Sequence, residues 1–241
     1  RAKEEEEAKK LDTKVTNYSQ YLRRDYKYRF RKLLWKAKKI FAHLVNWSKV
    51  KKNPAKVSIF IPTYNDAQNL DICIRSVLDQ EYKFDEIIVI NDCSTDNTNE
   101  ILKKYSEIIV INNPTNKGVS YSRNIGIKKC KNEIIAWIDS DVELEKTWLK
   151  KILNLFFENK AVYCCGFIQE KYINNIYNEW RSIRFPLNWG SKNIKNPPYV
   201  FTNNTIQYKY VWEKINGFDE KFYKPGGEDI DYSKKVFEFY K

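Results

Sequence analysis

Four short runs of apolar, largely β-branched residues, each followed by a helical pattern, constrain this chain more than any other feature. The runs lie at 57–61 (VSIFI), 87–90 (IIVI), 108–111 (IIVI) and 134–138 (IIAWI). Helical spacing separates them at 68–78, 98–105 and 119–129, and recurs at 146–157 and from Glu228 onward. Strands that are apolar throughout, rather than alternating, are those covered on both faces. Joined by amphipathic helices, they predict an α/β domain, Rossmann-like, with a mostly parallel mixed sheet. Ligands of such sheets bind beyond the carboxyl ends of the strands, so the polar residues just after each run are the ones to read.

Charge divides the chain. Residues 1–56 carry 18 Lys and Arg against 6 Asp and Glu, and residues 57–241 carry 25 of each, so the whole net charge of +12 sits on the N-terminal segment. A nucleic-acid enzyme places basic charge around its cleft. Here the cleft-bearing part is balanced, and no nucleic-acid partner is expected. Phe30, Leu33, Leu34, Ala37, Phe41, Leu44 and Val45 recur at helical spacing among Arg29, Arg31, Lys32, Lys36, Lys38 and Lys39. This predicts a basic amphipathic helix that docks on the domain, on a second copy, or on an anionic membrane surface. The expected division is therefore a basic, largely helical arm at 1–53, closed by Asn53-Pro54, and an α/β domain at 54–241.

Five cysteines without a CxxC pair argue against a disulfide framework or a structural zinc site, and fit a cytoplasmic protein. No apolar run approaches the ~20 residues of a membrane span. The chain starts at Arg1 without Met, which reads as a piece of something longer.

Polar clusters follow the predicted strands. Pro62-Thr63-Tyr64-Asn65 closes the first, and Asn91-Asp92-Cys93-Ser94-Thr95-Asp96 the second. Asp139-Ser140-Asp141 closes the fourth. Two carboxylates one residue apart beyond a buried strand repel each other unless a cation joins them. Carboxylate oxygens suit Mg²⁺ or Mn²⁺, which bridge to substrate phosphates. Asp92 is a candidate partner for a nucleobase or ribose, with Ser94 or Asp96 left to cap the next helix. Arg123 and Lys117 are candidates for donor phosphates, against the alternative of plain surface charge. In Gly226-Gly227-Glu228-Asp229, two glycines permit a tight turn and acidic residues open a helix. The sole histidine, His43, lies outside the domain, so a carboxylate, Asp229 beside Glu228, is the candidate general base.

Together these clusters resemble the family 2 glycosyltransferases, inverting enzymes of the GT-A fold. VSIFIPTYN resembles the opening strand, IIVINDCSTDNT the uridine-binding segment, NKGVSYSRNIGI the loop and helix after it, IDSD the metal motif, and INGFDEKF with GGEDIDYS the acceptor side. The resemblance runs from Val57 to the end of the chain. It implies that Asp92 contacts the base while Thr63 and Tyr64 line the same pocket. Asp139 would bind ribose or metal-bound water, Asp141 the metal, and Asp229 would be the base. Asn91 stands where the family has an acidic residue, and Cys93 where it has glycine, which predicts a looser turn. Relatives continue past the position of Asp231. The implied activity is transfer from a nucleotide-diphosphate sugar, UDP-linked, to a glycan, lipid-linked or other hydroxyl acceptor, with Mn²⁺ or Mg²⁺ as cofactor. The arm lies outside this resemblance. The expected location is cytoplasmic, and peripheral on the inner face of the cell membrane where the arm binds lipid rather than docking on the domain or a second copy. The rival reading is a catalytically silent domain that binds nucleotide-sugar or scaffolds glycan assembly.

Overall fold

The computed structural model describes residues 55–171 and 201–239, with the single positions 176, 179, 195 and 199. The expected basic helix, His43 and most of the aromatic stretch 172–199 lie outside the described residues.

The chain alternates as β1 (Val57–Thr63), α1 (Ala67–Leu78), β2 (Glu86–Asn91), α2 (Thr98–Leu102), β3 (Ile109–Asn112), α3 (Val119–Lys129) and β4 (Ile134–Ile138). It continues as α4 (Trp148–Glu158), β5 (Tyr163–Cys165), β6 (Asn204–Tyr208), α5 (Lys209–Ile215) and α6 (Glu228–Phe239). One sheet takes all six strands in the order β3-β2-β1-β4-β6-β5. β1 to β4 are parallel, and β6 runs antiparallel between β4 and β5. The mixed, mostly parallel sheet agrees with the expectation.

Residue alternation along each strand builds two apolar layers. Ile59, Ile61, Ala136 and Ile138 pack with Leu70, Ile74 and Val77 of α1 and with Leu149, Ile152 and Phe156 of α4. On the other face Phe60 stacks on Trp137 at 5.6 Å, and Trp137 meets the edges of Phe218 and Tyr232 at 6.2 Å. Trp137 is fully buried, and Tyr232 carries α6 onto the same face. Helix α3 comes close to that face because Gly126 has no side chain: a Cβ there would stand 2.3 Å from the Phe60 ring. Asn124 uses its whole amide. Its Nδ2 donates to Phe218 O (3.0 Å) and Glu220 Oε1 (2.9 Å), and its Oδ1 accepts from Trp212 Nε1 (2.9 Å) and Phe218 N (2.9 Å). Arg123-Asn124-Ile125-Gly126 is thus a packing device that fixes the segment leading to α6.

Two local expectations fail. The run at 108–111 reads as a buried strand, yet β3 is the sheet edge and Ile109 is 45% exposed. β6 was not expected as a strand, because Asn204, Thr205 and Gln207 interrupt its apolar pattern. All three are buried, and each hydrogen-bonds within the fold, Gln207 Oε1 accepting from Tyr232 OH at 2.9 Å. One polar atom of each side chain is thus paired, as buried groups require, while Asn204 Oδ1 and Gln207 Nε2 find no partner among the described residues. Among the described residues no helix is long and apolar enough to cross a membrane.

Candidate active site

The carboxyl ends of β1, β2 and β4 are stitched together before any ligand is considered. Asn65 N donates to Ser94 Oγ (2.9 Å), and Asn65 Oδ1 accepts from Thr95 N (2.7 Å). Asp96 Oδ2 accepts from Ala67 N (3.0 Å), and its Oδ1 from Thr98 N (3.0 Å), so this carboxylate serves the first turns of two helices. Pro62 is buried inside β1, paired with Ile90. Thr63 is buried with Oγ1 lacking a partner among the described residues, while Tyr64 projects outward, 49% exposed. Asn65 therefore holds the loop after β2, and Thr63 and Tyr64 remain as the lining of the expected nucleotide pocket.

Asp92 differs from its expected role as a side chain left free for ligand. It is 4% exposed and accepts from Asn113 Nδ2 (2.6 Å), Lys117 N (2.9 Å) and Gly118 N (2.8 Å). A carboxylate offers about four lone-pair sites, and the chain itself fills three. Asp92 holds the loop into α3. Lys117 contributes its backbone N–H there while its side chain points to solvent. Gly118 closes the loop at φ +87°, with Tyr223 O only 2.3 Å from where a Cβ would stand.

The turn after Asp92 is not loosened by Cys93. The residue takes φ +64°, the left-handed conformation that glycine adopts freely. A side chain in that conformation costs about 1–2 kcal/mol, offset in part by the extra unfolded-state entropy of glycine, about 0.4–1 kcal/mol. Cys93→Gly is therefore expected to stabilise the protein by roughly 0.5–1 kcal/mol, read as a rise in thermal unfolding midpoint; a lowered midpoint would refute the strain.

Past β4, Ser140 Oγ donates to Asp66 Oδ2 (2.6 Å), which pins the Asp139–Asp141 turn to the segment after β1. Ser140 was expected to meet the donor; its hydroxyl is used internally instead. Asp66, which the sequence does not single out, is the partner. Beneath the turn, Cys73 Sγ donates to Asp139 O at 3.6 Å. Burial, then the fields of Asp141, Asp139 and Asp66, push the Cys73 thiol well up, so these three carboxylates crowd one end of the sheet. Asp141 is exposed there.

Arg123 joins the two halves of the site. Its side chain is 3% exposed. Nη2 donates to Asp139 Oδ1 (3.0 Å), and Nη1 to Glu228 Oε1 (3.1 Å) and Asp229 Oδ1 (3.4 Å). It is neither a surface charge nor directed at a donor phosphate. Burial opposes its charge, but Asp139, Asp229 and Glu228 together raise its pKa and keep it protonated. Asp139 and Asp229 are raised from the ordinary carboxylate value, first by burial, against the lowering effect of Arg123. Three carboxylates around one guanidinium leave excess negative charge, and a cation would balance it.

The two acidic candidates on α6 part company. Asp229 is open to the site, its side chain 30% exposed. Thr202 Oγ1 donates to its Oδ1 and Thr202 N to its Oδ2 at 3.5 Å. Glu228 is buried, its carboxylate spent on Arg123 and on Gly226 N (2.6 Å). Glu228, expected beside Asp229 as catalytic, supports the site instead. Nothing in the sequence marks Thr202, since a lone threonine before a polar strand carries no periodic signal.

Among the described residues no three His, Cys, Asp or Glu side chains form a ready cation cage. Mg²⁺ and Mn²⁺ sites that share substrate phosphates need only one or two carboxylates, so Asp139 and Asp141 fit such an ion by donor type.

The chain is 31% identical over 124 residues to the putative teichuronic acid biosynthesis glycosyltransferase TuaG of Bacillus subtilis, a match covering 50% of this chain and 47% of that one. It spans less than half the length of the curated relatives of comparable similarity. Staphylococcus aureus TarS 1–349 in complex with UDP-GlcNAc superposes with a TM-score of 0.55 at 22% identity, covering 76% of this chain and 53% of that one. The mannosyltransferase PcManGT of Pyrobaculum calidifontis, in complex with GDP-Man and Mn²⁺, gives 0.59 at 18% identity, covering 84% and 57%. At these identities the two structures share the fold. Sequence similarity to the model of glycosyl transferase family 2 extends over residues 58–215, short of α6. On that similarity and this fold, the chain belongs to glycosyl transferase family 2.

Proposed function

We propose that this chain carries an inverting, metal-assisted glycosyltransferase domain that moves a sugar from a nucleotide-diphosphate donor, UDP-linked, to a hydroxyl of a growing glycan or lipid-linked acceptor. The observation that carries this reading is the Arg123 bridge, which joins Asp139 on the donor side to Asp229 on the acceptor side. Complexes of the related fold with UDP-GlcNAc, and with GDP-Man and Mn²⁺, support the donor class.

Thr63 and Tyr64 line the nucleotide pocket, with Asp92 shaping its far wall through the loop to Gly118. Asp141, with Asp139 beside it, holds the divalent ion, which when bound neutralises charge on the departing diphosphate. Arg123 keeps Asp139 and Asp229 in register and ionised. Asp229 accepts the proton of the acceptor hydroxyl as that oxygen attacks the anomeric carbon from the face opposite the leaving group. Holding both substrates in line supplies much of the remaining rate. The basic segment, residues 1–53, brings the domain to an anionic membrane surface on the cytoplasmic side.

The test is nucleotide release from UDP-glucose, UDP-GlcNAc, UDP-glucuronate, UDP-GalNAc and GDP-mannose, with Mn²⁺ or with EDTA. One UDP-sugar is expected to turn over with Mn²⁺ and not with EDTA. Asp141→Asn should lower that rate by roughly 10²–10³, the several kcal/mol of charge stabilisation a cation provides. A turnover indifferent to EDTA and to Asp141→Asn would sink the metal role, and no turnover with any donor would favour a silent binding domain.

A further inference from the structure

The carboxylate on α6 is held from a residue that nothing in the sequence singles out. Thr202 is fully buried just before β6, 27 residues from Asp229, and it reaches both oxygens of that side chain. Its hydroxyl donates to Oδ1, the oxygen that also accepts from Arg123 Nη1 at 3.4 Å, and its backbone N–H approaches Oδ2 at 3.5 Å. On the opposite side of the residue, Ser233 Oγ donates to Asp229 O at 2.6 Å. Oδ1 thus holds two donors and Oδ2 a single long one, on a side chain that stays partly open to solvent.

We infer that Thr202 is the positioning residue of this site, fixing the rotation of the Asp229 carboxylate so that Oδ2 is presented to the acceptor hydroxyl. The inference rests on Asp229 acting as the base. Thr202 itself is too buried to touch substrate, so it acts only through Asp229. A hydroxyl donating to an ionised carboxylate also favours the charged form. The other ionisable groups around Asp229 are Arg123 on α3, Glu228 on α6, Asp139 beyond β4 and Tyr163 on β5. Arg123 favours the ionised form, whereas Glu228 and Asp139 oppose it.

The experiment uses the full chain with Thr202→Val, which keeps the shape and removes the hydroxyl, and Thr202→Ser, which keeps the hydroxyl. With the UDP-sugar that turns over, Thr202→Val is expected to lower kcat at least tenfold. The donor KM should stay within about twofold, and the acid limb of the kcat profile should move to higher pH. Thr202→Ser is expected to stay within about threefold of the parent. The Asp229 carboxyl titration, followed by carbon-13 NMR in the full chain, should move upward in Thr202→Val and not in Thr202→Ser. A Thr202→Val protein whose kcat, pH profile and Asp229 titration all match the parent would overturn the inference. So would an equal loss in Thr202→Ser, which would mark a packing role. If Asp229→Asn keeps full turnover, the base assignment fails by itself, and the titration still decides whether Thr202 holds the carboxylate.

Discussion

Arg123→Met is expected to cost about 3 kcal/mol of stability at neutral pH, the lower end of the ~3–5 kcal/mol lost when one partner of a buried charge pair is removed. The lower end applies because Asp139 and Asp229 keep 33% and 30% of their side chains exposed, and water recovers part of their charge. Glu228, 7% exposed, has no such relief. For a chain of this size the loss is a fall in unfolding midpoint of roughly 6–12 °C. The sign of the pH dependence is a second check. Burial already raises Asp139 and Asp229 above their unfolded values, and Arg123 opposes that rise. Without the guanidinium both move further up, so the folded state binds protons that the unfolded chain has released. The deficit should therefore shrink as pH falls from 7 towards 5. Urea or thermal unfolding of the full chain at both pH values tests this. A loss under about 1 kcal/mol, or one that grows on acidification, would mean that the three carboxylates do not depend on Arg123.

Asp229→Asn is expected to lower turnover by about 10²–10⁴, the range attributed to a positioned general base, with donor binding retained. Its fold should survive. Asparagine keeps an oxygen to accept from Thr202, and Arg123 keeps Asp139 and Glu228. Because burial disfavours the ionised form of Asp229, a neutral amide there relieves a penalty while giving up one ion pair. The unfolding midpoint should change by only a few degrees. In the parent, the base works ionised and burial raises its pKa above the ordinary carboxylate value, so the acid limb of kcat/KM should lie above the usual carboxylate range and vanish in the variant. The comparison requires donor turnover at several pH values together with a donor-dependent thermal shift. Near-parental turnover with an unchanged acid limb would assign the proton transfer elsewhere.

The strands at 57–63, 86–91 and 134–138 and helix α3 were legible in the sequence, because side-chain period and β-branching act over neighbouring residues. The same holds for Asp139 and Asp141, whose place follows from the strand that precedes them. The edge position of β3 was not legible: exposure of Ile109 depends on which strands stand beside it, and that is decided by the sheet order. Nor was β6, where Asn204, Thr205 and Gln207 look like a loop until their partners on other elements are known.

At the site the division is sharper. Local pattern determined which residue types reach the carboxyl edge of the sheet: acidic residues, a glycine-flanked turn and an arginine on the helix after the third strand. Only the tertiary structure decided how they are used. Asp92 closes a loop through residues 113–118, Arg123 finds Glu228 and Asp229 more than a hundred positions away, and Thr202 grips Asp229 across the sheet. The reason is physical: a carboxylate's chemistry is set by burial and by the charges facing it, and both come from chain segments distant in sequence.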